Sequence, residues 1–436
     1  MQTKVDTGLP PSSFNITLII SGIFLGAVCT FFIGPYLNLV EDLGFRIPQD
    51  DMTTDYATSL VWATFLGVCI IFSPIRHMDK HMLLWAWFIK CFVSLFVLLF
   101  EEAHYPGDNV GYFLTRIRPF DFLKPGLGPG FLSLGITKYN QIVPEVVQNS
   151  FHSFKISFSM LGLMAIYLFY RASILITKNE NRTFFWVLVL CPSLLIWTSR
   201  PGKESPMFFF MALHTAGLIN WHFKRKTVYL LIGLIGLLSC TSIRTWIGCL
   251  MLVSLFFYFL YANKNFLTKT TCALLAGVLI FPSYQLVGYK INIKNTDAVY
   301  EKLEKVAKDN ARGGSAIKGE KIEVKGPLDV IKHAPTGIFT ALFRPLPWDI
   351  PGLLGFAAGM EGLLLLYLFF KAVKRTRLRE LNDPILVWAI VMVFSWALIY
   401  GFAIQNFGTG VRWKTQVLPI FLGLLCYLGR YRQRIL

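Results

Sequence analysis

Charge is scarce in this chain. Only 15% of its 436 residues are Asp, Glu, Lys or Arg, and 54% are hydrophobic. Ordinary soluble domains carry roughly 25% charged residues, so a soluble globule is excluded. Acidic groups are scarcest, 25 against 42 Lys plus Arg. Paired cysteine spacing is also missing. Cys29, Cys69, Cys91, Cys191, Cys240, Cys249, Cys272 and Cys426 all fall inside apolar runs, which points to helix packing and away from a disulfide framework or a zinc site. No internal repeat is visible. The glycine cluster Gly126-Leu127-Gly128-Pro129-Gly130 lacks the strand–helix setting and the Lys-Ser/Thr ending of a phosphate-cradling loop. The first apolar run, Phe14 to Tyr36, is too long for a removable signal peptide and is not followed by a small-residue cleavage site.

What is present is a succession of apolar runs of about 16–24 residues, the length a helix needs to cross roughly 30 Å of hydrocarbon. The mean hydropathy is +0.54. Such runs do not alternate, which favours helices over a membrane barrel. The expected fold is therefore an all-α polytopic integral membrane protein, a single membrane domain over 1–436. About twelve spans are expected, near 14–36, 57–75, 82–101, 153–176, 184–199, 206–221, 227–242, 245–262, 268–288, 352–371, 384–404 and 415–430. Arg244 interrupts the long apolar stretch 227–262, and Ser199-Arg200-Pro201-Gly202-Lys203-Glu204 interrupts 184–221.

Charge tests that count. The segments Arg76–Lys80, Arg171–Arg182, Lys224–Lys226, Lys264–Lys269, Lys371–Arg379 and Arg430–Arg434 are all basic, and twelve spans place them all on one side, the cytoplasm. Both termini then lie there too, while the loop with Glu41, Asp42, Asp50, Asp51 and Asp55 faces outward. The net charge of +17 thus reads as membrane orientation and anionic-lipid contact, with no nucleic acid implied. Two outer loops are long, 102–152 and 289–351, the second with an expected amphipathic helix around Asp297–Asp309.

Basic residues on the outer side escape the orientation rule. Arg116 and Arg118 lie in the first long loop, Arg200, Lys203 and Arg244 in tight turns, Arg344 before Pro345, and Arg412 with Lys414 at the opening of the last helix. One such Arg alone reads as a snorkelling or headgroup contact. Several converging from separate loops suit a diphosphate held at headgroup depth, which guanidinium groups grip by forked, charge-assisted hydrogen bonds. Expected diphosphate contacts are Arg200, Lys203, Arg244, Arg344 and Arg412. Glu361 falls mid-span among Gly355, Gly359 and Gly362, where a carboxylate is costly unless paired or functional. Candidate general bases are Glu204, Asp349 and then His333, with Glu101, Glu102, Asp108 and His104 also at outer helix ends. Each alone reads more readily as a solvated loop residue than as a base. Trp197, Trp246, Trp348 and Trp413 sit near the same boundary, where most aromatics are belt anchors.

Several segments are familiar in order. Cys191-Pro192-Ser193-Leu194-Leu195-Ile196-Trp197 leading to Gly202-Lys203-Glu204 resembles the "PS…W…KE" segment of bacterial Wzy-type O-antigen and exopolysaccharide polymerases. Phe343-Arg344-Pro345-Leu346-Pro347-Trp348-Asp349 followed by Glu361 is similar to their "RP…W(D/E)" outer loop and membrane glutamate. Asn406-Phe407-Gly408-Thr409-Gly410-Val411-Arg412, with Pro419 downstream, resembles their "N.G…R…P" approach to the final helix, and Phe158-Ser159 to Tyr170-Arg171 a recurrent fourth-helix pattern. The likeness runs from about residue 105 to the end. Two departures stand out: Lys414 occupies a position that is often Arg, and Lys203-Glu204 follows Arg-Pro-Gly.

The resemblance implies a membrane glycosyltransferase of the inner membrane. It would transfer a growing glycan from undecaprenyl diphosphate onto the distal sugar of a new lipid-linked unit, with no metal or other cofactor. Its partners would be the lipid-linked oligosaccharide, membrane lipid and a chain-length regulator protein. Two other classes compete. A GT-C transferase using a polyprenyl-phosphate sugar would place an acidic catalytic residue in the first outer loop, where Asp50, Asp51 and Asp55 stand. A transporter or flippase would show internal symmetry and midplane charges, of which only Glu361 and Lys90 are found. The arrangement is checked by reporter fusions: alkaline phosphatase, active only outside the cytoplasm, is expected to be inactive when joined after Lys178 or Lys226 and active after Asp349.

Overall fold

The computed structural model describes residues 33–104, 108–114, 141–262, 270, 304–305, 315–317 and 327–430. Among these, every regular element is a helix, and one isolated antiparallel bridge joins Ala316 to Asn406. In chain order the helices are α1 (Met52–Phe72), α2 (His77–Phe92), α3 (Leu98–His104), α4 (Asp108–Leu114), α5 (Glu145–Gln148), α6 (Phe151–Thr177), α7 (Arg182–Leu190) and α8 (Pro192–Trp197). They continue as α9 (Glu204–Lys224), α10 (Thr227–Ile243), α11 (Thr245–Ala262), α12 (Pro327–Phe343), α13 (Leu353–Arg375), α14 (Pro384–Ala403), α15 (Phe407–Lys414) and α16 (Leu418–Leu428). A π-helical turn, Val93–Val97, joins α2 to α3 in one run, His77–His104.

Among the described residues six helices are long and apolar enough to cross a membrane: α1, the α2–α3 run, α6, α11, α13 and α14. All six overlap expected spans. Helices α10 and α16 are apolar but shorter. Large apolar side chains such as Val61, Phe72, Phe88 and Phe370 are more than half exposed, as a lipid-facing surface requires. The chain is a membrane-embedded helical protein. The expected spans 14–36 and 268–288 lie outside the described residues except at 33–36 and 270.

Two expectations meet a different local structure. The stretch 184–199 is not one helix: Cys191 takes non-helical angles and Pro192 opens α8 as a separate element. Within 289–351, expected as loop, residues 327–343 form α12, which packs on α14 and α13. The amphipathic helix expected at 297–309 lies outside the described residues apart from 304–305, which are helical. After α12 the chain turns back, and residues 343–350 run along α13. A side chain on Gly359 would stand 2.4 Å from Pro347 N, and one on Gly362 2.2 Å from the Phe343 carbonyl. The glycines of α13 are therefore a groove that receives this backbone.

Helix α9 lies between α6 and α10, and its buried face carries Met207, Phe208, Met211 and Ala212. Its approach to α10 is backbone on backbone, since a Cβ on Gly217 would lie 2.4 Å from Gly233 N. Small residues permit such contact where lipid tails offer no hydrophobic drive to helix association. Gly217→Val is expected to lower the unfolding temperature in detergent clearly, by overpacking worth about 1–3 kcal/mol. Gly111→Ala, with nothing within 4 Å of its added carbon, is expected to leave it unchanged.

Candidate functional site

The breaks in the helical pattern converge. Glu204 opens α9, and its side chain is 2% exposed. Arg244, between α10 and α11, donates to it at 3.1 Å. Arg412 of α15 donates through Nε at 2.7 Å and a terminal nitrogen at 3.1 Å. Arg200, in the turn before α9, pairs with Glu101 of α3 at 2.5 Å. Trp197, the last residue of α8, joins these groups: Arg200 lies 4.2 Å from its ring centroid and Arg412 5.4 Å. Three of the five expected phosphate contacts therefore meet around one tryptophan and one glutamate. The Arg200 Nε–H is buried and has no partner among the described residues.

Burial works to raise the Glu204 carboxyl, but Arg412 and Arg244 outweigh it and hold it below its ordinary value. Such a carboxylate is a weak proton acceptor and a strong anchor. Asp349 is similar. Its burial acts upward, but hydrogen bonds from Arg344 and the Leu346 N–H hold it down. Arg344 grips Asp349 with both arms, at 2.9 and 2.7 Å, and stands 4.5 Å from the ring centroid of Phe407 on α15. Arg344 and Arg412 thus reach the same short helix. Lys203 is half-buried beside Glu204. His333 is not brought in: it sits eleven residues before Arg344 on α12, roughly 16 Å along the axis. Arg116 and Arg118 lie outside the described residues.

Glu361 has a structural occupation. It accepts from Ser193 N at 2.9 Å, Ser193 Oγ at 2.8 Å and Cys191 Sγ at 3.2 Å, at the start of α8. Lys414 Nζ stands 3.8 Å from Glu361 and donates at 3.2 Å to the Arg344 carbonyl, just past the end of α12. Lys90, fully buried, closes the other end of α8 by donating to Thr198 Oγ1 at 2.8 Å and Ser199 Oγ at 3.0 Å. Helix ends leave unpaired backbone groups that cations satisfy at the C-terminus and anions at the N-terminus. Lys90 and Lys414 each fix the turn that presents an arginine, Arg200 and Arg344 respectively. Sequence reasoning placed neither at the site. Their only signal was a charge inside or beside an apolar run.

The acidic segment expected on the outer side is engaged elsewhere. Asp51 caps α1 through Thr54, and Asp55 is buried in a short hydrogen bond with His152 of α6. Glu102 pairs with Lys155 at 2.7 Å. The tip Ser315–Ile317 is bound to the start of α15 by backbone hydrogen bonds to Gln405 and from Phe407. Among the described residues no group of acidic, His and Cys side chains has the arrangement of a metal site.

No family model matches the chain, and neither a curated protein nor a solved structure is significantly similar to it.

Glu204→Gln leaves two guanidinium groups without their shared buried counter-charge, and is expected to cost about 3–5 kcal/mol of stability. Because the folded Glu204 sits below its ordinary 4.5, its contribution is present above that pH and is lost as pH falls through the lower folded value. Thermal unfolding in detergent from neutral to acid pH is expected to show a steep loss for the native chain and a flatter one for the Gln variant.

Proposed function

We propose that the chain is a membrane glycosyltransferase that polymerises undecaprenyl-diphosphate-linked oligosaccharide repeat units at the outer face of the bacterial inner membrane. The observation that carries this reading is the convergence of Arg244 and Arg412 on Glu204 and of Arg412 and Arg200 on Trp197, with a buried Arg200 Nε–H that has no partner among the described residues. A diphosphate fits such a site because it offers several acceptor oxygens to planar donors. Basic segments on the opposite end of the bundle support a cytoplasmic location for that end, and a twelve-span chain with both termini inside.

In this reading the anomeric C–O bond to the diphosphate breaks while the hydroxyl oxygen of the new unit's distal sugar bonds to the same carbon. The electron pair leaves with undecaprenyl diphosphate, and the hydroxyl proton passes to a carboxylate or to water. Negative charge grows on the leaving diphosphate, so positioned arginines lower the barrier most where that charge develops. Glu204 and Asp349 serve here as anchors of Arg244, Arg412 and Arg344. Leaving-group stabilisation, more than a strong base, is the main device. The lipid-linked glycan and membrane lipid are the partners, with a chain-length regulator as a further protein partner.

Removing one positioned donor of this kind costs about 10²–10³ in rate. A strain carrying Arg412→Ala, at equal protein level, is expected to lose long surface glycans while single repeat units persist on the carrier. A normal length distribution overturns the reading. Unpolymerised material missing one sugar points instead to a transferase that uses a polyprenyl-phosphate donor.

A further inference from the structure

At the basic end of the bundle, α6, α9, α14 and α16 enclose a cavity of about 70 Å³. Its walls are mostly apolar, among them Phe169, Ile219, Leu386 and Leu424. Thr215 and Trp388 break that pattern. Thr215 is 4% exposed and Trp388 1%, and neither Thr215 Oγ1 nor Trp388 Nε1 has a hydrogen-bond partner among the described residues. Next to Trp388, though not in the cavity wall, the ring of His214 lies with its centroid 5.9 Å from that of Trp388, and its Nε2 too has no partner among the described residues. His214 Nδ1 is 2.9 Å from the Gly233 carbonyl and must be its protonated nitrogen, which leaves Nε2 as an open acceptor.

We propose that this cavity is a binding site for ordered water in the membrane core, with Thr215 Oγ1 and the Trp388 indole N–H as its fixed partners. The chemistry is complementary: the indole only donates, the hydroxyl does both, and the neighbouring imidazole nitrogen accepts. A buried polar group left unmet costs about 1–3 kcal/mol, so a dry cavity with two such groups in its wall would be a heavy burden. The volume exceeds the roughly 10–15 Å³ that one water requires, and the polar partners distinguish it from dry apolar cavities. Water has a way in. The cavity reaches Ser173 and Thr177 on α6 and Tyr427 on α16, and Thr177 is exposed at the basic end of the bundle. The site is thus a wet crevice that runs from that surface to the middle of α9, separate from the arginine cluster at the head of the same helix.

Trp396, on the same α14, supplies an internal control. It is as buried as Trp388, but its indole N–H is satisfied by Gln416 at 3.0 Å. Radicals made from bound water by X-ray radiolysis oxidise the side chains next to them. In the full chain in lipid nanodiscs, mass spectrometry is expected to find Trp388 oxidised several-fold faster than Trp396. Equal protection of the two overturns the proposal, whether the cavity is empty or filled by an acyl chain. A second measurement gives an independent sign. If water bridges the groups, Thr215→Val lowers the unfolding temperature, because the water and Trp388 lose a partner. In a dry cavity it raises the temperature, because an unmet hydroxyl is removed.

Discussion

Helix α8 has both of its ends buried in the protein, at Cys191 and Ser193 and at Thr198 and Ser199. A backbone in this position must find every hydrogen-bond partner within the fold. Glu361 answers the first turn through Ser193 and Cys191, and Lys90 answers the last through Thr198 and Ser199. The charges match the helix dipole at each end. Much of the structure follows from this demand. Lys90 and Glu101, on either side of the π-helical turn in the α2–α3 run, both reach the α8–α9 turn. The glycine groove of α13 lets residues 343–350 lie close enough for Lys414 to reach both Glu361 and the Arg344 carbonyl.

The arginine cluster is the second level of that order. Arg200 is held by Glu101 of α3, Arg244 and Arg412 share Glu204 of α9, and nearby Arg344 is held by Asp349 of its own connecting segment. Buried pairs of this kind contribute little net stability against apolar replacements but fix position firmly. An anionic ligand would therefore meet donors already aimed and would pay little to organise them. Trp197 adds a shared face that keeps Arg200 and Arg412 near one another despite their like charge.

Much of the fold was legible because lipid imposes a simple rule on length and composition. The apolar runs at 245–262 and 384–404 became α11 and α14 almost residue for residue. The rule fails where function or geometry overrides it. The run 184–199 is apolar throughout, yet Pro192 divides it, and hydropathy alone cannot show that the second piece is a separate buried helix. Residues 327–343 look mixed in polarity because one side of α12 packs on α14 through Gly337 and Gly401. At the site, the clustering of Arg200, Arg244 and Arg412 was legible from charges at one boundary. The pairing partners were not, since Glu101 and Glu204 stand 99 and 208 residues from the arginines they hold. His333 matched the chemistry by type but was carried away by the length of its own helix.

Glu101 and Glu102 are neighbours on α3, yet one holds Arg200 and the other Lys155 of α6. Consecutive residues of a helix point about 100° apart, so α3 works like a cam with two followers. Rolling it toward one follower pulls it from the other. The turn that carries Arg200 and the start of α6 are thereby tied to adjacent residues of one helix.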